Sequence, residues 1–535
     1  MQIVRLNAAL VFLCCLSAVS GIAQAATPYS MDWLEQFGTS AWDQAYGVSA
    51  DGTGNVYVTG ETAGSLGGTN AGFYDAFDAK YNIQGVAQQT TQYGDTGSDV
   101  GTGISADSLG NVFVAGYSQG PLNGPNNGGF QAQLSNYTPA GTLQWSQYIG
   151  PVQTYAYGVS ADGQGNAYIA GYTTGSLNQP NAGGYDAYVA KYDSTGNALW
   201  THQFGTSAQD QALGVAADGA NSVYVTGSTQ GSLGGTNAGG YDAFVRKYDA
   251  AGNLQWTQQL GSAGNDIAEA VAAKSGCLYI VGNTSGSLGG TNAGLADAFI
   301  SKFSSAGVLQ WTKQFGTSGN DYADGVAADA NGNVFVVGYT QGALGGTNVG
   351  GYDAFLSEFN AAGNLQWTQQ LGSPGNDFAT SVSVDGFGHV FVAGDTTGSL
   401  GGTNAGSYDA WLARFSPVPM LGDFNRDGVV DSADINAMMA ALTNLSNYTT
   451  DYDLSPAQLL AIGDFNGDGV ITNADLQGLL KALIDDSWQY QPVPEPASFL
   501  LLAMAGALCL WERKRRSGVF ARPNPELNFL RDQSG

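Results

Sequence analysis

Two short stretches near the C-terminus set oxygen-bearing side chains at a spacing that wraps a hard cation. In the first, Asp423, Asn425, Asp427, Asp431 and Asp434 fall at loop positions 1, 3, 5, 9 and 12. Gly428 at position 6 allows the sharp turn, and Val429 offers its backbone carbonyl at position 7. In the second, Asp464, Asn466, Asp468, Thr472 and Asp475 repeat the pattern with the Val470 carbonyl, starting 41 residues later. Calcium takes six to eight oxygens at about 2.4 Å, so two calcium ions are the expected cofactors. Without them, four carboxylates in the first loop and three in the second repel one another, and folding of this region is expected to require the ion.

Other chemistry has few candidates. His202 and His389 are the two histidines and fall in different repeats, one near a Trp and one at a turn position that Asn fills elsewhere. No Ser-His-Asp, phosphate-cradling or zinc-ligand spacing is present, and no catalytic residue is assigned. Among residues 26–494 there are 40 Asp and Glu against 10 Lys and Arg, so some carboxylates fall close together by number alone, which does not mark a glycosidase pair. A body near −30 repels nucleic acid and attracts cations or basic partners.

Each calcium loop runs into an amphipathic helix, expected over 435–445 and 476–484. No helix of useful length enters the first loop, because Pro417 and Pro419 precede it. Position 12 is Asp rather than the Glu of an EF-hand. This combination resembles a type I dockerin over 422–487. The resemblance implies docking onto a cohesin-like module through the loop-to-helix junctions, here Ser432 and Ala433 in one copy and Asn473 and Ala474 in the other. Because these pairs differ, two equivalent docking modes do not follow. Dockerins are often attached to polysaccharide-degrading enzymes, which gives the chain its hint of glycan metabolism.

Ahead of these loops the chain repeats itself. Trp33, Gln89, Trp145, Trp200, Trp256, Trp311 and Trp367 recur every 55 or 56 residues. Each unit reads as four short strands, as in 322–329, 333–338, 352–359 and 365–371, joined by glycine turns and one loop of about a dozen residues. With 79 Gly and 50 Tyr and Phe in 535 residues, this is an all-β propeller pattern. A solenoid is the other fold to consider. An orphan fourth strand at 33–37 opens the chain and the last unit, 408–415, lacks its fourth. Pairing the two closes a seven-membered ring and removes the free edge.

Segments such as Phe37-Gly38-Thr39-Ser40, Asn55-Val56-Tyr57-Val58-Thr59-Gly60 and Tyr241-Asp242-Ala243-Phe244 resemble the SBBP repeat, a β-propeller repeat of bacterial secreted and surface proteins. The resemblance covers about 32–416 and implies a fold and an extracellular setting, not one activity. The loops entering strand one and joining strands two and three share one side of the disc. They end in Asp43, Asp99, Asp210, Asp266, Asp321 and Asp377, and in Asp75, Asp186, Asp242, Asp297, Asp353 and Asp409. Two readings stand: an acidic face that binds a cation, a glycan or a basic protein patch, or aspartates that cap strand ends through Asx turns.

The two ends address the chain. Residues 1–25 carry Arg5, an apolar stretch and Ala23-Gln24-Ala25, a secretory signal cleaved after Ala25. Pro494-Glu495-Pro496 precedes an uncharged run over 497–511 and the cluster Arg513, Lys514, Arg515 and Arg516. This order resembles the PEP-CTERM sorting tail and implies processing by an exosortase, a membrane transpeptidase. Fifteen residues span about 22 Å as a helix, short of the roughly 30 Å apolar core, so the transmembrane helix is marginal. The cluster holds its end cytoplasmic and leaves the body outside. With both ends removed Cys277 is the one cysteine left, and a buried small residue is expected there.

The expected organisation is a signal peptide (1–25), a seven-bladed propeller (32–416), a linker (417–421), a dockerin-like domain (422–487), a second linker (488–494), a sorting segment with a transmembrane helix (495–516) and a tail (517–535). The expected function is a secreted or cell-surface binding and scaffold protein. The alternative is a polysaccharide-active hydrolase or lyase.

Overall fold

The computed structural model describes residues 29–120, 129–151, 153–219, 222–426 and 430–484. The signal peptide, Asp427, Val429, the second linker, the sorting segment and the tail lie outside the described residues. Among the described residues, twenty-eight strands form seven four-stranded sheets, each an antiparallel meander. In blade 6 the strands are Asp321–Ala328, Val334–Thr340, Asp353–Phe359 and Leu365–Leu371, within two residues of the bounds read from sequence. Second strands such as Val334–Thr340 are buried almost throughout, as a continuous apolar run requires when neighbouring blades cover both its faces. The first strand of every blade touches that of the next, and Asp43–Ala50 touches Asp377–Val384, so the ring is closed about an axis.

The seam is the one expected. Strand Tyr29–Phe37 pairs antiparallel with Asp409–Pro417, setting Trp33 opposite Arg414 and Gln36 opposite Trp411. Blade 7 therefore takes three strands from the end of the propeller and its outer strand from the beginning.

The recurrent Trp joins blade to blade. Trp33 Nε1 donates to Ile83 O at 3.1 Å, Trp145 Nε1 to Ser194 O at 2.8 Å and Trp200 Nε1 to Ala250 O at 3.1 Å, each reaching a turn of the next blade. The turn must be glycine where the indole lies beneath it: at Gly85, with φ of 78°, a Cβ would sit 2.8 Å from the Trp33 ring. Gln89 breaks the pattern between blades 1 and 2. Here a cavity of about 30 Å³ remains, lined by Tyr57, Asp78, Lys80, Gln89, Tyr137 and Pro139 among others.

Among the described residues, four helices follow the propeller: α1 (Ser432–Thr443), α2 (Leu445–Asp451), α3 (Pro456–Gly463) and α4 (Asn473–Ile484). They enclose Phe424, Met438, Tyr448, Ile462, Ile471 and Leu479. The first helix starts earlier than the expected residue 435, because Asp431 and Asp434 form a capping box. It stops at Thr443 because the Asn444 side chain accepts from Asn447 N and starts a new helix. The helical unit sits against the tight-turn side of blades 7 and 1. Arg414, 4% exposed, donates to Asp453 Oδ2 at 2.6 Å and to Asp32 Oδ2 at 2.8 Å, while Gln84 Nε2 reaches Asp453 Oδ1 at 3.1 Å. Among the described residues no helix is long and apolar enough to cross a membrane, and the run expected to do so lies outside them.

Candidate functional site

The recurrent aspartates hold the loops. All twelve are at most 1% exposed. Asp43 Oδ2 accepts from Thr39 N at 2.6 Å and Thr39 Oγ1 at 2.9 Å, and Thr62 Oγ1 donates to Asp43 Oδ1. Asp297 Oδ2 accepts from Ala293 N at 2.8 Å and from Gln314 Nε2, on the outer strand, at 2.9 Å. The Oδ1 atoms of Asp75, Asp186, Asp242, Asp297 and Asp409 have no hydrogen-bond partner and are shut in against glycine: a Cβ at Gly38 would lie 2.6 Å from Asp409 Oδ1. Of the two readings of this ring, the strand-end capping is the one these contacts describe. Blade 2 has Gln131 at the second position and blade 3 has Thr154 at the first, and each bonds within its own blade.

Residues that vary from blade to blade gather instead around the mouth of the axis on this same side. Every first strand carries an irregularity at its fourth residue, at Tyr46, Glu269, Asp324 and Thr380 among others, and a bulge of this kind re-aims its side chain. The penultimate residue of each second strand faces the same region: Glu61, Tyr117, Tyr172, Ser228, Asn283, Tyr339 and Asp395. Four successive blades thus bring acids to one side of the mouth, Glu269, Asp324, Asp395 and Glu61.

These acids are short of compensation. Burial pushes the Glu269 carboxyl up to about 7, opposed by Asn283 Nδ2, which donates to Glu269 Oε1 at 3.3 Å. Asp324 is held well above the usual carboxylate range by burial, then by the charges of Glu269 and Asp395. Asp395, 2% exposed, is raised to about 7 by burial; the Gln44 side chain bonds to it and lowers it, and the Glu61 and Asp377 charges raise it. Asp395 Oδ2 has no hydrogen-bond partner. The ion pairs among the described residues lie elsewhere.

Half-buried aromatic rings frame the mouth in two arcs. On blades 6, 7 and 1, Phe378 lies 4.8 Å from Tyr339, 5.6 Å from Tyr352 and 6.5 Å from Tyr408, and Tyr408 lies 4.2 Å from Trp42. On blades 2 and 3, Tyr155 lies 5.2 Å from Tyr117, 5.4 Å from Phe130 and 5.3 Å from Tyr172. The sequence carried a signal for these residues: variation at fixed offsets inside otherwise repeated strands.

The two C-terminal loops share one wiring. Asp434 Oδ1 accepts from Asn425 N at 3.0 Å and its Oδ2 from Asp431 N at 2.8 Å. In the second loop Asp475 Oδ1 accepts from Asn466 N at 3.2 Å and its Oδ2 from Thr472 N at 2.9 Å. Both position-twelve carboxylates are fully buried and clasp the two ends of their loops. Asp464 accepts from the amides of Gly467, Asp468 and Gly469 at 2.7, 3.1 and 2.9 Å, winding the backbone about loop position 1. Asp468 accepts from Asn466 Nδ2 and from Val470 N, both at 3.0 Å, and the Val470 side chain is exposed. The donors are hard oxygens, which fit calcium in kind, while among the described residues no three acidic, His or Cys side chains converge on one point. Arg426, unremarked in the sequence, leaves the first loop with φ of 61° and donates through Nη2 to Pro417 O at the end of the propeller.

Ser432, Ala433, Asn473 and Ala474 are all exposed at the starts of α1 and α4. His389 is buried, its Nδ1 2.7 Å from Asp385 Oδ2, completing a turn as Asn does elsewhere; His202 stacks on Tyr248. Cys277 is half-buried rather than buried, because it opens its strand at a turn. Pro494, Glu495, Pro496, Arg513, Lys514, Arg515 and Arg516 lie outside the described residues.

Comparison with known proteins agrees with this architecture. Segments 32–67, 90–123, 144–178, 199–234, 310–346 and 366–401 match SBBP, the beta-propeller repeat. Residues 492–516 match the PEP-CTERM protein-sorting motif. Six segments of this seven-bladed propeller thus match SBBP repeats, and the chain carries the sorting motif of an exported, extracellular or cell-surface protein. Each repeat match opens on the outer strand of one blade and continues into the next, the one-strand offset that the seam requires.

Among curated proteins, the chain is 29% identical over 284 residues to the regulatory protein FlaEY of Caulobacter vibrioides, covering 44% of this chain and 29% of that one. It is 26% identical over 214 residues to an uncharacterized WD repeat-containing protein, L264, of Acanthamoeba polyphaga mimivirus, covering 38% and 12%. The chain therefore spans less than a third of the length of these relatives. A solved structure of RRP9 WD40 repeats overlays with a TM-score of 0.45 at 8% identity, over 72% of this chain and 99% of that one.

Proposed function

We propose that this is a non-enzymatic surface protein whose propeller binds an extracellular glycan at the axial mouth, and whose C-terminal unit is a calcium-dependent docking module. The observation that carries the glycan reading is the pair of half-buried aromatic arcs around an acid-lined opening. A ring face covers the C–H face of a pyranose, while carboxylates and tyrosine hydroxyls take its hydroxyl groups. A glycan array probed with the propeller tests it. Retention of at least one polysaccharide class by the wild type, lost in Phe378→Ala and Tyr155→Ala, supports the reading; no retention overturns it.

For the docking module, calcium would be held by Asp423, Asn425, Asp427, the Val429 carbonyl, Asp431 and Asp434, and by Asp464, Asn466, Asp468, the Val470 carbonyl, Thr472 and Asp475. The ion would supply charge neutralisation that lets these oxygens converge. A cohesin-like partner would meet the exposed junctions Ser432–Ala433 and Asn473–Ala474. The sorting tail would pass through an exosortase-type enzyme, with its helix in the membrane at least transiently.

A second reading, a polysaccharide hydrolase or lyase, has one observation in its favour. Glu269 and Asp324 are neighbouring carboxyls in the mouth, both raised, and one acid kept protonated beside another is an acid–base arrangement. Release of reducing ends that disappears in Glu269→Gln would establish it.

A further inference from the structure

The mouth is not uniform, and its most demanding corner lies between blades 7 and 1. Asp395 is 2% exposed, and its Oδ2 is buried without a hydrogen-bond partner. The loop aspartates Asp75, Asp186, Asp242, Asp297 and Asp409 also leave Oδ1 unpaired, but each of those oxygens is shut in against a glycine, whereas Asp395 Oδ2 shares its corner with the Glu61 charge, where an unpaired oxygen is costly and points to a missing donor. The groups around it do not supply one. Gln44 bonds to Asp395 with its amide, and Gln44 Oε1 already accepts from Trp42 Nε1 at 2.5 Å. Tyr46 Oη stands 2.8 Å from Gln44 Oε1 and 3.0 Å from Glu61 Oε1, and its single proton serves one of them. Glu61 is itself 9% exposed, so two carboxylates share this corner with too few donors.

What stands over them is aromatic. Phe378 is the cross-strand partner of Asp395, so the two side chains share a face. Tyr408 lies 6.5 Å from Phe378 and 4.2 Å from Trp42, whose indole N–H is tied to the same Gln44. Ring faces above and carboxylates below are the surroundings an alkylammonium group favours: the rings attract the charge and the carboxylates take its N–H donors. A small hard cation would instead need six to eight oxygens around it.

We propose that this corner binds the protonated amine of an amino sugar, so that the glycan recognised at the mouth is one with free amino groups. This deepens the glycan reading above and rests on it. Burial keeps a proton on Asp395 in the unliganded corner at pH 6, and the ammonium takes that proton's place, donating to Asp395 Oδ2 and to Glu61 while the pyranose ring lies against Phe378 and Tyr408. The same corner has no donor to spare for a carboxylated or sulfated sugar, which the negative body also repels.

The test is calorimetry of the full mature chain at pH 6 with a β-1,4-linked glucosamine trimer and with the N-acetylated trimer. The expected result is binding of the free-amine trimer at least about tenfold tighter than the acetylated one, and loss of that preference in Asp395→Asn. Thermal unfolding of the variant confirms its fold, and Glu61→Gln serves as the second variant. Equal affinity for the two trimers, or a preference that survives both substitutions, overturns the amine assignment while leaving the glycan reading in place. Binding of neither trimer, together with an empty glycan array, overturns both.

Discussion

Gln36 and Asp409 stand 373 residues apart in the chain and 2.9 Å apart in the fold, Nε2 of the first donating to Oδ2 of the second. Gln36 Oε1 also accepts from the amides of Leu400, Gly401 and Gly402 at 2.9–3.2 Å. One side chain of the N-terminal strand therefore organises the last long loop of the propeller.

Gln36→Leu leaves the Asp409 carboxylate and several amides unpaired at the seam. Each such loss costs about 1–3 kcal/mol. The expected outcome is a clear fall in the midpoint of thermal unfolding, and removal of residues 29–37 should be more severe still. An unchanged midpoint on removing that strand would mean that the ring does not depend on its seam.

Gln89→Trp should stabilise the protein. The other outer strands show how an indole fits beneath the next blade, and Lys247 Nζ and Trp256 Nε1 share Ser305 O there without conflict. Lys80 Nζ already donates to Pro139 O at the corresponding place beside Gln89. Filling the gap is expected to add about 1 kcal/mol, read from urea unfolding. Destabilisation would show that Gln89 is kept for a contact of its own.

The raised carboxyls fix the sign of the pH dependence. An acid whose folded pKa exceeds its unfolded value binds its proton more tightly when folded, so its contribution is full below the unfolded value near 4 and is lost as pH rises through the folded one. For Asp395, Glu269 and Glu358 the folded value is about 7, with burial as the first cause. Thermal stability should therefore decline between pH 5 and pH 8. Asp395→Asn should be more stable than wild type at pH 8, by on the order of 2 kcal/mol, and no different at pH 4. A midpoint that rises across this range would contradict the burial of these charges.

Calcium should bind the C-terminal unit twice. Calorimetry is expected to resolve two sites in the wild type and one in Asp475→Ala, and chelator should reduce helical circular dichroism. Two sites surviving in that variant, or no calcium binding at all, would remove the ion from this region.

The fold was legible because it rests on what recurs. The Trp spacing marked the blades, the apolar runs marked the second strands, and the missing fourth strand after Phe415 announced the seam. The site was not, for the opposite reason. Asp43, Asp297 and their equivalents recur because the blades need the same loop clasp, so repetition at these positions marks structure. Glu269, Asp324 and Asp395 occupy positions where the repeats disagree, and their convergence depends on a one-residue bulge that strand alternation does not reveal. In the C-terminal unit the recurrent spacing of oxygen-bearing residues was plain, whereas the early start of α1 followed from a capping box in which Asp431 and Asp434 take part.

The mouth of the axis is the claim on which the functional account turns, and oligosaccharide binding to three variants measures it most directly. A sugar that binds the wild type should bind Asp297→Asn about as well wherever that variant remains folded, and should bind Phe378→Ala and Tyr408→Ala at least about tenfold more weakly. Weakened binding in Asp297→Asn with full affinity in Phe378→Ala and Tyr408→Ala would return the ligand to the ring of aspartates and contradict the account.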